Sequence, residues 1–154
     1  MVKFEDRYRF IGSVYVLLRD SSKVLLLRRA NTGYHDGEYS LPAGHMDGGE
    51  PAALAAVREA KEEVGVNIDP KDLDIVHTLH RYSDQPEPHE RIDLFFETDT
   101  WKGEPTNAEP DKCDELKWVA IGNLPENMVP EVEHMFREMA RRSMYSDFNF
   151  IARQ

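Results

Sequence analysis

Hydrophobic and polar residues alternate with a period near two in several stretches of this chain. Such alternation, with branched and aromatic side chains and polar turns between the stretches, predicts β-strands. The predicted strands are residues 10–18, 23–27, 72–81, 91–97 and 116–121. In the fourth strand Ile92, Leu94 and Phe96 share one face, and Asp93 and Phe95 share the other.

Two other stretches repeat their apolar residues at the 3.6-residue spacing of an amphipathic helix. The first helix is predicted at residues 51–64, and the second begins at Pro130. The apolar side of the first helix consists of Ala53, Leu54, Val57, Ala60 and Val64, and that of the second of Val132, Met135, Phe136 and Met139. Strands interrupted by two helices predict an α/β fold with a mixed sheet between helical layers.

The opposite side of the first helix carries Glu59, Glu62 and Glu63 within an arc of about 100°. Three carboxylates this close repel one another unless a cation lies among them. Mg²⁺ suits such a group, because it takes hard oxygen ligands and completes its shell with water and substrate phosphates. Acidic helix faces are usually only solvated, so the surroundings of the three glutamates decide between the two interpretations.

The surroundings favour a metal site. Gly44 lets the backbone pass close to a ligand at a predicted turn at residues 42–44, and its carbonyl is a candidate metal ligand. Arg58 can pair with Glu62 one turn later and reach back to Glu50, which would hold the carboxylates in place. Gly65 is a helix C-cap.

Residues 44–66 as a unit resemble the Nudix box, G-x5-E-x7-R-E-U-x-E-E-x-G-U, where U is an apolar residue. All the fixed letters are present, as Gly44, Glu50, Arg58, Glu59, Glu62, Glu63 and Gly65, with Ala60 and Val66 at the apolar positions. The resemblance implies a Nudix-type α/β/α sandwich and a MutT-like pyrophosphohydrolase. It also implies that Gly44, Glu59, Glu62 and Glu63 bind Mg²⁺, or Mn²⁺ in its place, and that Glu59, Glu62 and Arg58 serve catalysis.

Segments outside the box resemble nucleotide-hydrolysing Nudix proteins and supply candidate substrate contacts. Arg28 matches the position of a phosphate-binding arginine at the end of a strand, with Arg29 as the alternative if the register differs. Glu109 and Glu115 lie on a downstream loop whose carboxylates complete the metal shell or act as base in relatives, and Glu131 matches a base-contacting acidic residue. We expect substrate selectivity to reside in segments 82–90 and 127–131, because the box itself handles only phosphates.

The amino-acid composition indicates the number of domains, the expected binding partners and the cellular location. The chain has 154 residues, of which 40% are hydrophobic, so we predict one Nudix domain over residues 1–154. A net charge of −10 argues against long nucleic acids, whose binding depends on basic patches. The single cysteine, Cys113, and the lack of a signal peptide or long apolar span predict a cytoplasmic protein without a membrane partner.

The predicted function is Mg²⁺-dependent hydrolysis of the diphosphate linkage in a nucleoside triphosphate or another nucleoside diphosphate derivative. Two alternatives stay open. One is a hydrolase of capped RNA or of a non-nucleotide diphosphate, and the other is a non-catalytic nucleotide-sensing module on the same scaffold. The intact glutamate set argues against the sensing module. A small-molecule nucleotide is the expected partner, and a homodimer is compatible with the sequence.

Overall fold

Eight β-strands and two α-helices make up this computed structural model, which describes residues 3–85 and 87–150. The strands are β1 (Ile11–Asp20), β2 (Lys23–Arg29), β3 (Tyr39–Ser40), β4 (Ala43–His45), β5 (Asp74–Ser83), β6 (His89–Thr98), β7 (Cys113–Ala120) and β8 (Tyr145–Phe148). The helices are α1 (Ala52–Val64) and α2 (Pro130–Ala140), with short 3₁₀ turns at Phe4–Asp6, Pro70–Asp72 and Ile121–Asn123.

The strands form a mixed sheet in the order β3-β2-β1-β6-β5-β8, while β4 also pairs with β1 and β7 with β2. The β1–β6 pair is parallel and runs from Ile11 opposite Arg91 to Leu18 opposite Thr98. The β5–β6 pair is antiparallel, with a register shift between Ile75 and His77. The predicted mixed sheet is therefore confirmed.

Residues of β1 alternate between two hydrophobic cores. Val14, Val16 and Leu18 pack with α1 on one face of the sheet, whereas Tyr15 and Leu17 belong to the core that contains α2. A helix on each face of a mixed sheet is the α/β/α sandwich that the sequence predicted.

The α1 helix is rotated relative to the predicted apolar side. It buries the ridge Ala55, Ala56, Ala60 and Val64, while Leu54 is 46% exposed, so the prediction was wrong for Leu54. Small alanine side chains allow the helix to lie close to the sheet, and this close approach also buries Glu59. The helix ends as predicted at Gly65, which has a φ of 72° and donates its N–H to the carbonyl of Lys61.

Two further expectations needed correction, and one strand is new. Asp93 and Phe95 are completely buried, so the face of β6 that carries the charged residue is the more deeply covered one. Residues 43 and 44, predicted as part of a turn, instead belong to strand β4. Gly44 pairs there with Val14 of β1. Strand β8, which pairs in parallel with β5, was not predicted.

Within the described part of the chain, no helix is both long enough and apolar enough to cross a membrane.

Candidate active site

A cavity of about 480 Å³ opens beside β4, between the end of α1 and the strands β5 and β6. Its apolar wall includes Ile11, Tyr15, Leu27 and Ala43, and the box contributes Gly44, His45 and Glu63. Its other polar residues are Ser13, Arg29, Thr32, Tyr34, Arg81, Ser83, Gln85, His89, Arg91, Glu109, Lys112 and Cys113. The carboxylates Glu63 and Glu109 therefore face the same space as several cationic side chains.

Arg58 connects the loop before α1 to the carboxylates on the helix. Its Nη2 lies 2.7 Å from Oε1 of Glu50 and donates to the carbonyl of His45 at 3.0 Å. Its Nη1 lies 2.6 Å from Oε1 of Glu59 and 3.6 Å from Oε2 of Glu62. The hydrogen bond with Glu50, reinforced by Glu59, raises the pKa of Arg58, which stays charged. The predicted contact between Arg58 and Glu50 is confirmed, and the partner held most closely is Glu59.

Glu59 lies directly against the backbone of Gly44. A Cβ at residue 44 would be only 2.1 Å from the carboxyl carbon of Glu59, so any side chain at this position would have to displace that carboxylate. Burial raises the pKa of Glu59, and the charges of Glu62 and Glu109 add to that shift while Arg58 opposes it. The carboxylate therefore sits in negative surroundings that a single arginine only partly compensates.

Glu63 is held by the strand that it faces. Its Oε2 accepts a hydrogen bond from the backbone N–H of Ala43 at 2.9 Å. Burial raises the pKa of Glu63 to about 8, and the nearby charges of Glu59 and Glu109 contribute to the increase. A cation near these carboxylates would favour their charged forms.

Glu109 reaches this group because its loop docks on the C-terminal end of α1. The N–H groups of Thr106 and Ala108 donate to the carbonyls of Val64 and Glu63, each at 3.0 Å. These carbonyls have no partner inside the helix, so the loop satisfies them and brings Glu109 toward Glu63. The carboxylate of Glu109 lies 2.9 Å from Nζ of Lys112.

The two candidate arginines of β2 point in different directions. Arg29 lines the cavity and donates through Nε to the carbonyl of Tyr34 at 2.7 Å. Arg28 lies outside the cavity wall, with its Nε 2.7 Å from Asp114 and its Nη1 3.4 Å from Glu115. Glu115 also lies outside the wall and accepts a short hydrogen bond from the hydroxyl of Tyr39.

Glu131 lies behind the cavity wall, and other side chains already bind its carboxylate. Its Oε1 accepts from the hydroxyl of Tyr34 at 2.9 Å and lies 3.3 Å from Nη2 of Arg81. Arg81 in turn donates through Nε to Asp93 at 2.5 Å. Sequence patterns did not single out Arg81, Arg91 or Asp93, because their spacing matches an ordinary strand. The sequence offered one hint of this group, which was a charged residue, Asp93, within a predicted strand of an α/β sandwich.

The carboxylates have the chemistry of a Mg²⁺ site without being a closed one. Among residues 3–85 and 87–150, no three histidine, cysteine, aspartate or glutamate side chains converge as a ready-made metal site. However, burial and the charges of Glu62 and Glu109 raise the pKa of Glu59, and burial and the charges of Glu59 and Glu109 raise the pKa of Glu63. Such an uncompensated set of oxygen ligands fits a divalent cation that is completed by water and substrate.

The family model for the NUDIX domain matches residues 9–139 of this chain. The chain belongs to the Nudix family. The match covers the box, the cavity and both helices, so the resemblance seen in residues 44–66 extends through the fold. The protein is a MutT-like Nudix pyrophosphohydrolase.

Two kinds of Nudix relative are similar in sequence. A Bacillus subtilis (strain 168) protein with the provisional name 8-oxo-dGTP diphosphatase is 36% identical over 119 residues, covering 77% of this chain and 72% of that protein. The NAD-capped RNA hydrolase NudC of Stutzerimonas stutzeri (strain A1501) is 31% identical over 117 residues. That alignment covers 76% of this chain but only 39% of the NudC protein.

Solved structures share the fold. A MutT Nudix hydrolase from Burkholderia pseudomallei superposes with a TM-score of 0.76 at 21% identity, covering 84% of this chain and 98% of that one. A MutT protein from Methanosarcina mazei Go1 gives a TM-score of 0.72 at 24% identity, with 86% and 94% covered. At these identities the similarity establishes the α/β/α architecture alone.

Proposed function

We propose that this protein hydrolyses the diphosphate linkage of a nucleoside triphosphate, or of another nucleoside diphosphate derivative, with Mg²⁺ as its cofactor. The observation that carries the proposal is the position of Glu63 of the box in the cavity wall, where it faces the same space as Glu109. Glu59 and Glu62 lie on the same helix and share Arg58 as a neighbour.

Oxygen atoms of Glu59, Glu62 and Glu63, together with the carbonyl of Gly44, would hold the cation. When bound, the cation neutralises phosphate oxygens and stabilises the charge that develops during phosphoryl transfer. Arg58 keeps Glu59 against Gly44, and the Ala43 N–H orients Glu63. Both contacts fix carboxylates before the substrate binds. The conformational entropy of these side chains is therefore lost during folding and not during the reaction.

In the reaction, a water oxygen attacks one phosphorus in line, and a new P–O bond forms as the bridging P–O bond breaks. The leaving phosphate takes the electron pair of the broken bond, and a carboxylate of the cluster takes the proton of the water. Glu59 and Glu62 are the carboxylates that we assign to this step.

The remaining substrate contacts follow from the cavity wall. Arg29 faces the cavity and is the candidate for binding phosphate, a role that the resemblance of the segment upstream of the box gave to Arg28 with Arg29 as the alternative. Arg28 and Glu115 instead stabilise each other and Tyr39 at the adjoining edge. Glu109 completes the carboxylate group, and Glu131 acts on the substrate through Arg81 and Tyr34.

The test is hydrolysis of a panel of nucleoside triphosphates, sugar nucleotides, dinucleotides and NAD-capped RNA. We expect activity with Mg²⁺ or Mn²⁺, none in excess chelator, and recovery when metal is restored. Glu62→Gln and Glu63→Gln should each lower turnover by at least about a hundredfold, because even residues that merely support a metal ligand cost 10–100-fold. Glu133→Gln is the control, since Glu133 is exposed on α2 and its carboxylate pairs with Arg137. Full activity in chelator would refute the proposal.

A further inference from the structure

Arg29 differs from the other two arginines of the cavity wall in having no carboxylate partner. The Nε atoms of Arg81 and Arg91 lie 2.5 Å and 3.5 Å from the carboxylate of Asp93. Among residues 3–85 and 87–150, none forms an ion pair with Arg29. Its charge is therefore not neutralised in advance, which suits a guanidinium that has to bind phosphate.

Neutral acceptors hold the guanidinium of Arg29 instead. Its Nε donates to the carbonyl of Tyr34 at 2.7 Å, and its Nη2 donates to the hydroxyl of Thr32 at 3.0 Å. Both acceptors belong to the loop between β2 and β3, residues 30–38, and both residues line the cavity. An arginine carries five N–H donors, of which these contacts use two, so about three remain for a ligand.

The hydroxyl of Thr32 can accept from Arg29 because it donates its own hydrogen to Asp36. Its Oγ1 lies 2.6 Å from Oδ1 of Asp36 and 3.0 Å from the carbonyl of Tyr34, and it has one hydrogen to donate. The carboxylate is both the nearer and the charged acceptor, so the hydroxyl donates to it and turns its lone pairs toward Nη2 of Arg29. The carbonyl of Tyr34 is then left to Nε of Arg29.

Asp36 is fixed by the loop that it orders. Its carboxylate also accepts from the backbone N–H of Thr32 at 3.0 Å and from that of Gly33 at 2.9 Å. Hydrogen bonds from the side chain and the backbone of Thr32 lower the pKa of Asp36, which therefore stays charged. Asn31 and His35 of this loop have φ values of 55° and 51°, a left-handed conformation that is costly outside glycine and needs such support.

We propose that Thr32 and Asp36 are positioning residues for Arg29, and that they direct its guanidinium toward the phosphate groups of the substrate without neutralising its charge. This proposal rests on the proposed function, because it assumes a substrate with a diphosphate. A carboxylate paired directly with Arg29 would also fix its position but would compete with the phosphate. Asp36 acts at one remove, through the hydroxyl of Thr32.

Methylenediphosphonate is a direct probe, because its P–C–P bridge resembles a diphosphate and cannot be hydrolysed. Its dissociation constant should be measured by calorimetry in the presence of Mg²⁺, so that binding is observed without turnover. Arg29→Gln should weaken binding by about tenfold or more, because it removes charge-assisted hydrogen bonds. Thr32→Val and Asp36→Asn should each weaken it by about three- to tenfold, as expected when a neutral hydrogen bond that orients the arginine is lost.

Thr32→Ser is the conservative partner of Thr32→Val, since serine keeps the hydroxyl and valine keeps the shape. Thr32→Ser should bind the probe within about twofold of the wild-type protein, because its hydroxyl can make the same contacts. Thr100→Val is the matched control, because Thr100 is exposed and its hydroxyl bonds Asp99 away from the cavity.

A double-mutant cycle separates positioning from a general loss of structure. If Thr32 acts through Arg29, Thr32→Val should change the dissociation constant by less than about twofold in the Arg29→Gln background. Thermal melts check that every variant is folded, and Asp36→Asn takes the place of Thr32→Val in the cycle should the valine variant fail to fold.

Unchanged binding in Arg29→Gln would overturn the proposal, and so would failure of the wild-type protein to bind the probe at millimolar concentration. An equal loss from Thr32→Val in both backgrounds would also overturn it, because Thr32 would then act independently of Arg29. If the binding results hold while no diphosphate on the panel is hydrolysed, the proposed function is refuted and the positioning of Arg29 stands. Hydrolysis together with unchanged binding in Thr32→Val and Asp36→Asn refutes the positioning alone.

Discussion

At Gly44 a hydrogen atom in place of a side chain leaves room for the carboxylate of Glu59. Arg58 holds that carboxylate from the other side, at 2.6 Å, and ties it to Glu50. The position of Glu59, a candidate metal ligand, therefore depends on the absence of a side chain at Gly44 and on the guanidinium group of Arg58. Both contacts can be tested by single substitutions.

Gly44→Ala should lower turnover by about a hundredfold, because the new methyl group must displace Glu59 by an ångström or more. Gly48→Ala is the control, since a Cβ at that position meets no atom within 4 Å. Steady-state kinetics and thermal melts of both variants provide the measurement. Equal turnover in the two variants would show that the position of Glu59 does not matter.

Arg58→Ala should reduce kcat more than it raises KM, because Arg58 positions Glu59 and Glu62 and lies outside the cavity wall. Arg58→Lys should recover only part of the lost turnover, because an ammonium cannot bind Glu50 and Glu59 as a planar fork does. A rise in KM with unchanged kcat would instead make Arg58 a substrate contact.

At the scale of elements, the C-terminal strand β8 is attached to the sheet through a buried histidine. His77 of β5 is fully buried, with Nδ1 2.9 Å from the carbonyl of Ser143 and Nε2 2.8 Å from the hydroxyl of Ser146. The same hydroxyl lies 3.0 Å from Nε2 of His134 on α2. One serine thus connects β8, β5 and α2, which explains how a strand of four residues is held at the edge of the sheet.

Ser146→Ala should lower the free energy of unfolding by about 1–3 kcal/mol, because it leaves buried histidine nitrogens without their partner. Ser143→Ala removes an exposed hydroxyl that bonds only the nearby carbonyl of Tyr145, and should change stability by no more than about 0.5 kcal/mol. Urea unfolding of the two variants compares these values. Matching midpoints would mean that the shared hydroxyl does not anchor β8.

At the scale of the whole molecule, the cavity combines a phosphate end built on α1 with a distal end built on β5 and β6. The segment 82–90, expected to control selectivity, is shorter as a loop than its sequence indicates. Residues 82 and 83 belong to β5 and residues 89 and 90 to β6, and Pro86 lies outside the described residues. The loop still contributes Gln85 to the wall.

Replacing residues 84–88 by five glycines should therefore change the order of preference among substrates while hydrolysis of some diphosphate survives. The reason is that the side chain of Gln85 leaves the cavity wall, whereas the glutamates on α1 are untouched. Exchanging Ser21 and Ser22 for glycine is the control, because that turn does not line the cavity. An unchanged order on the substrate panel would place selectivity elsewhere.

The sequence by itself determined the chemistry of the phosphate end and the class of fold. The spacing of Glu59, Glu62 and Glu63 depends on helical geometry that repeats every turn, and Glu50 is close enough in sequence for Arg58 to reach back to it from the helix. The mixed sheet between helices follows from the order of predicted strands and helices along the chain.

Only the tertiary structure decided which residues meet across the sheet. Arg29 rather than Arg28 reaches the cavity, because their side chains project from opposite faces of β2. Arg81 and Asp93 meet across the paired strands β5 and β6, and Glu131 joins them from α2, an element far away in sequence that no local pattern brings there. Asp93 is buried because both faces of the sheet are covered, a property of the assembled layers and not of the strand.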